Sequence, residues 1–232
     1  MDRRRPSRSS PDYLALAPLA ADLVAAIERQ CGGRSDLDVL DVGCGDQPYR
    51  PYLSPHARSY RGFDVTTGRF VDDVGMAEAM PYADASFDVV LCTQVLEHTD
   101  DPARVIHEIQ RVLRPGGVAF VSTHGAFVFH PDPPPDRDYW RWTHAGLARL
   151  FHTTAEWSEL AVKANGEYFT CLGLLLCRVL GWPLGGLPGA LRRAVYRAVN
   201  WTAGWLDRRL PPALRVPNPN SLAANYLVVA TR

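Results

Sequence analysis

Val39-Leu40-Asp41-Val42-Gly43-Cys44-Gly45-Asp46 is the stretch whose reading decides the fold. A short apolar run bounded by polar residues is the signature of a buried strand. Two glycines spaced one apart follow it, where the backbone turns sharply and leaves room for a ligand. A strand, a glycine turn and a helix make the nucleoside-binding corner of an open α/β sheet. The dinucleotide fingerprint is excluded, because Pro48 stands where its third glycine belongs.

Strands alternate with helices on both sides of that corner. Asp38 to Val42, Ser59 to Val65, Phe87 to Cys92, Val118 to Ser122 and Trp157 to Val162 read as strands, and Ala223 to Thr231 as the last. Ser10-Pro11 caps a short helix and Pro18 opens a second, with Leu16, Leu19, Leu23 and Ile27 at helical spacing. Asp101-Pro102 opens a helix whose inner face is Val105, Ile106, Ile109 and Val112, and Thr143 caps one through Leu150. Such alternation implies parallel pairing and right-handed crossovers. The expected architecture is Rossmann-like: a seven-stranded, mostly parallel sheet with helices on both faces and the last strand antiparallel.

At 232 residues the chain holds one domain with room for a small appendage. Lysine plus arginine equals aspartate plus glutamate, 25 each, so net charge gives no sign of a nucleic-acid partner. Five cysteines without a C-x-x-C pair read as reduced thiols of a cytoplasmic protein, and no histidine or acidic cluster has metal-ligand spacing. No stretch approaches the ~20 apolar residues of a membrane span. Tyr13 to Ala26 is too interrupted by Asp12, Pro18 and Asp22 for a signal peptide. Residues 1–10, with four arginines, read as a disordered basic arm, 11–165 as the core, 166–219 as a helical insertion and 220–232 as the closing strand.

Asp64 ends the second strand 23 residues after Asp41. Pro81-Tyr82-Ala83-Asp84-Ala85-Ser86-Phe87-Asp88, then Leu96-Glu97-His98, then Arg111-Val112-Leu113-Arg114-Pro115-Gly116-Gly117, follow in order. From about Leu37 to Ser122 this succession resembles the class I S-adenosylmethionine (SAM) methyltransferases of the type 11 group. The resemblance implies SAM as cofactor and a binding set of Asp41, Gly43, Cys44, Gly45, Asp64, Val65, Met76, Ala77 and Thr93. Asp64 would accept from the ribose hydroxyls, and Asp41 would face the ligand's sulfonium and ammonium. One departure stands out. Where the family often has an acid reading the adenine amino group, this chain has Met76, which packs on a ring but accepts no hydrogen bond. Ala77 still offers its amide, and the missing acceptor must come from another group if it is present.

Methyl transfer asks mainly for proximity and orientation. A hydroxyl acceptor also benefits from a base near neutrality, which imidazole offers. His98 and His130 are the candidates, a structural His98 being the alternative. Glu97 reads as a packing carboxylate and Glu108 as an ion-pair partner. The segment 123–142, with His124, His130, Asp132, Asp136 and Asp138, reads either as an acceptor-side lid or as a loop fixed by an Asp138–Arg141 pair.

Within the insertion, leucines of 172–187 and arginines and tryptophans of 192–209 flank apolar faces. A membrane surface, a homodimer interface or a cover over the acceptor would each look so. The expected function is methyl transfer to a small-molecule or lipid-linked acceptor, on oxygen, by a cytoplasmic protein, with a peripheral place at the membrane as the second reading. The rival is a SAM-binding partner protein without turnover.

Overall fold

The computed structural model describes residues 3–130, 137–166, 168–209 and 222–232. Asp132, Asp136, the 210–219 end of the insertion and the first residues of the arm lie outside them. The sheet is built from β1 (Leu37–Val42), β2 (Ala57–Asp64), β3 (Asp73–Val74), β4 (Phe87–Thr93), β5 (Leu113–His124), β6 (Glu159–Asn165) and β7 (Asn225–Thr231). Their spatial order is β3-β2-β1-β4-β5-β7-β6. All pairs are parallel except those of β7, which runs antiparallel to both β5 and β6. The expected seven-stranded sheet with an antiparallel last strand is therefore what the chain forms. Strand order reverses between β1 and β4, so a crevice opens at their carboxyl ends.

Helices cover both faces: α1 (Tyr13–Cys31) and α2 (Arg50–Leu53) on one, α3 (Pro102–Val112) and α4 (His144–Thr154) on the other. Strand alternation sorts the side chains. Val39, Leu91 and Phe120 pack with Leu19, Leu23 and Ile27 of α1. Leu40, Val42, Val90, Cys92 and Val121 pack with Val105, Ile106, Ile109 and Val112 of α3. Those four α3 residues are fully buried, each stabilising by roughly 1.5–3 kcal/mol. That burial is what holds an 11-residue helix that alone would be marginal. Its start is fixed as expected, the Asp101 carboxylate accepting from the Arg104 amide at 3.1 Å with Pro102 at the first position. The Thr143 hydroxyl does the same for α4 through the Gly146 amide at 3.0 Å.

Several boundaries differ from expectation. α1 is one helix running through Pro18, where two were read. A proline there forfeits one hydrogen bond and crowds the preceding turn. Leu14 and Ala15 before it pack against Leu174 and Ala203, while Leu19 and Leu23 after it pack on the sheet, so burial on both sides carries the helix across. α4 continues past Leu150 to Thr154, because Phe151 is fully buried. β2 ends at Asp64, leaving Val65 just beyond the strand. β3, only two residues long, was not placed by pattern at all.

After β6 come α5 (Tyr168–Gly181) and α6 (Gly189–Arg209), packed on each other and on α1. Arg8 and Ser10 lie against α6: the Asn200 side-chain amide donates to their carbonyls at 2.8 and 2.9 Å.

Candidate cofactor and acceptor site

The turn after β1 puts Gly43 at φ +64° and Gly45 at φ +46°. Both values favour glycine. The amides of Gly43 and Cys44 donate to the Phe63 carbonyl, which pins the turn to β2. A Cβ on Gly43 would meet Val95 Cγ2 at 2.3 Å. The Gly45 amide donates to Asp64 Oδ2 at 3.0 Å, and the Thr66 amide to Oδ1 at 3.1 Å. The Thr66 hydroxyl also donates to Oδ1, at 3.3 Å, so Asp64 is aimed before any ligand arrives and keeps acceptor capacity on Oδ2.

Beside this turn lies a cavity of about 270 Å³. Of the expected residues, Gly43, Asp64, Val65, Met76, Ala77 and His98 line it. Asp41 and Thr93 do not. Strand alternation turns both toward the α1 side, with Val39 and Leu91. Asp41 is 2% exposed and accepts from the Tyr60 hydroxyl at 2.7 Å. Burial pushes its carboxyl up to about 7, with the Tyr60 bond opposing the rise and the Asp64 charge adding to it. A carboxyl there faces a tyrosine rather than a ligand cation. Cys44 is buried with its thiol toward the Phe70 carbonyl, and burial raises its pKa to about 12. Gly45 acts through its amide on Asp64.

Four polar lining residues were not anticipated: Thr66, Glu78, Thr99 and Arg137. Gln94, at φ +58°, turns the chain out of β4 and takes the position expected of Thr93. Glu78 is the informative one. Its Oε1 accepts from the Asp100 amide at 3.1 Å, while Oε2 is buried without a hydrogen-bond partner among the described residues. A carboxylate oxygen left so costs stability unless a donor arrives. It lies two residues past Met76, so the adjacent Met76-Ala77-Glu78 was the signal for it. An adenosyl group fits these features. Asp64 suits ribose hydroxyls, the Ala77 amide and Met76 suit the base, and Glu78 Oε2 is the acceptor that Met76 cannot be.

The cavity is also lined by His98, Thr99 and Arg137. His98 Nδ1 donates to the Arg137 carbonyl, so in the neutral ring the basic nitrogen is Nε2. His130 does not line the cavity. It packs behind, its ring centroid 5.5 Å from that of His98 and 5.7 Å from that of His124. Glu97 is fully buried; its Oε2 accepts from the Thr123 hydroxyl at 2.8 Å and its Oε1 lies 3.3 Å from His124 Nε2. Residues 137–142 pack against this part of the cavity wall. Amides of Tyr139 and Trp140 donate to the Glu97 carbonyl, and Trp140 Nε1 donates to the Thr99 carbonyl at 2.9 Å. Asp138 and Arg141 pair through both oxygens at 2.6 Å, and Arg141 also holds the carbonyls of Phe127 and Val128. This is the loop-fixing arrangement. Glu108 is an ion-pair partner, bonded to Arg111 at 2.7 and 2.8 Å. No described residue of 168–209 lines the cavity.

Comparison with known proteins points the same way. Residues 40–121 match the model of a methyltransferase domain. The chain is 34% identical over 160 residues to a "Probable S-adenosylmethionine-dependent methyltransferase" of Mycolicibacterium smegmatis, covering 64% of this chain and 58% of that protein. It is 34% identical over 109 residues to the ubiquinone biosynthesis O-methyltransferase of Pseudomonas paraeruginosa, covering 39% and 46%. The chain thus spans about half the length of these relatives. In fold it resembles a SAM-dependent methyltransferase from Archaeoglobus fulgidus, with TM-score 0.53, 14% identity and coverage of 95% and 97%.

Proposed function

We propose that this chain, whose residues 40–121 match a methyltransferase domain, is a class I SAM-dependent methyltransferase that transfers a methyl group to oxygen of a small-molecule or lipid-linked acceptor. One observation carries the reading: a single cavity is lined by Asp64, Glu78 and His98 together. Bound SAM supplies an electrophilic methyl on its sulfonium. The chain's part is to hold and orient. Asp64 takes the ribose hydroxyls, and the Ala77 amide and Glu78 Oε2 take the edge of the adenine. The acceptor sits against Thr99 and His98, under the roof of 137–142. His98 Nε2 takes the acceptor's hydroxyl proton as the oxygen attacks. Fixing two reactants in line is the larger contribution, and the base adds typically 10²–10⁴-fold.

The O-methyltransferase named among the relatives favours oxygen over nitrogen or carbon as acceptor. The 168–210 surface is the part of the chain left for a membrane or a second copy. The reaction is tested with methyl-labelled SAM and a panel of phenols, catechols and lipid-linked sugars, read by mass shift and label position. Expected is label on oxygen of one acceptor class, lost in His98→Ala with SAM affinity unchanged. Label on nitrogen or carbon, or full turnover by His98→Ala, contradicts the reading.

A further inference from the structure

The chain's overall neutrality hides a separation of charge. Residues 168–209 hold six arginines against one acid, Asp207, so this segment is strongly positive and the remainder is equally negative. Asp207 is buried and spent on the start of α5, where its carboxylate accepts from the amides of Phe169 and Thr170 at 2.9 and 2.8 Å. It offers no counter-charge at the surface.

The same segment exposes apolar side chains. Nine of the fifteen large hydrophobic residues exposed among the described residues lie here, so the exposure is a patch rather than scatter. On α5, Tyr168, Leu172, Leu176 and Val179 recur at helical spacing on the outer face. Trp182, just past its end, is 92% exposed. On α6, Trp201 and Trp205 are exposed and stack at 6.4 Å. Between them and the N-terminal arm is a concavity of about 580 Å³ lined by Arg8, Arg193, Arg197, Trp201 and alanines of α6, with no acidic side chain. Asn200 keeps Arg8 there through its carbonyl.

We propose that the outer face of α5 and α6, with the Arg8–Arg193–Arg197 concavity, docks on an anionic lipid bilayer. Exposed tryptophans and leucines beside arginines match the two layers of a membrane interface, apolar acyl boundary and negative headgroup. A homodimer through this face would oppose two copies of the same positive surface, because a two-fold interface pairs a patch with itself. Like charges in apposition disfavour it. Arg178 is turned inward from this face: it pairs with Asp12 and lies 4.9 Å over the Phe127 ring, so the surface charge of the docking face rests on the arginines of α6 and on Arg8. Bilayer docking goes beyond the proposed reaction and does not require turnover.

The test is sedimentation of the full chain with vesicles of phosphatidylcholine alone or containing phosphatidylglycerol. Tryptophan emission and light scattering are read on the same samples. Expected is pelleting and a blue-shifted emission with the anionic vesicles only, weakened by salt. Arg193→Glu/Arg197→Glu should weaken binding about a hundredfold. Trp182→Ala/Trp201→Ala should remove most of the blue shift, and Arg149→Glu on α4 should change neither. SAM titration of each variant verifies that the fold survives. Three results overturn the proposal: no pelleting, equal pelleting with neutral vesicles, or anionic binding that the arginine pair does not affect. So does a dimer in light scattering that the same substitutions dissolve.

Discussion

Glu97 Oε1 and His124 Nε2 lie 3.3 Å apart in a pocket sealed from solvent. The rest of the network decides where their protons are. The Asn225 side-chain amide donates to the Ala15 carbonyl at 3.0 Å, so its oxygen faces His124 Nδ1 at 2.8 Å and makes that nitrogen the protonated one. A neutral His124 then turns an acceptor toward Glu97. Two acceptors this close require a proton between them. Burial holds the glutamate above and the histidine below their ordinary pKa, which leaves the proton on the acid.

From that relationship, Glu97→Gln should be tolerated, because its amide donates to His124 Nε2 and its carbonyl still accepts from Thr123. Glu97→Ala should cost about 2–5 kcal/mol, through a cavity and two unpaired buried groups. Denaturant unfolding of the two variants checks this. Equal destabilisation by both would contradict the shared-proton arrangement.

Asp41 predicts a pH dependence. Its folded pKa of about 7 exceeds the unfolded value of about 4, so the folded state binds the proton more tightly. The associated stability is full below about pH 4 and disappears as pH rises through about 7. Asp41→Asn lacks this titration. Relative to the variant, the native protein should lose up to about 4 kcal/mol between those limits. Unfolding curves of both at successive pH values measure the difference, and a constant difference would refute it.

Glu78→Ala should weaken SAM about 3- to 10-fold, the worth of one hydrogen bond. Met76→Ala should act on the same base by contact alone. Isothermal titration separates them when an analogue lacking the adenine amino group is used. Glu78→Ala should then make no difference, whereas Met76→Ala still should.

Gly43→Ala should abolish cofactor binding more completely than it destabilises the fold. Its Cβ would collide with Val95, itself a cavity-lining residue, at a φ that disfavours alanine. Thermal unfolding and SAM titration of the variant, taken together, distinguish the two effects.

Much of this was legible in the chain. The apolar run before Gly43, the cap at Asp101-Pro102 and the α3 face of Val105, Ile106, Ile109 and Val112 are local patterns, and the fold followed them. Asp64, Met76, Ala77 and His98 were placed at the cavity by motif order. Asp41 and Thr93 lie off the cavity for a physical reason. A strand buried on both faces has no polar alternation to say which way a side chain points, and the α1 side received both. Glu78 was missed because only the tertiary fold shows that one carboxylate oxygen lacks a donor. The Glu97–His124 contact joins residues 27 apart through β4 and β5, beyond the reach of any local pattern. Pro18 misled because packing on both sides of a proline outweighs its local cost.

The central claim is that the crevice at β1 and β4 holds SAM through Asp64. Calorimetric titration of the full chain with SAM and with S-adenosylhomocysteine, repeated on Asp64→Ala, tests it most directly. Saturable one-to-one binding of both by the native protein is expected, lost or greatly weakened in a variant that remains folded. Native protein that binds neither compound, or an Asp64→Ala variant that binds them as tightly as the native chain, would contradict it.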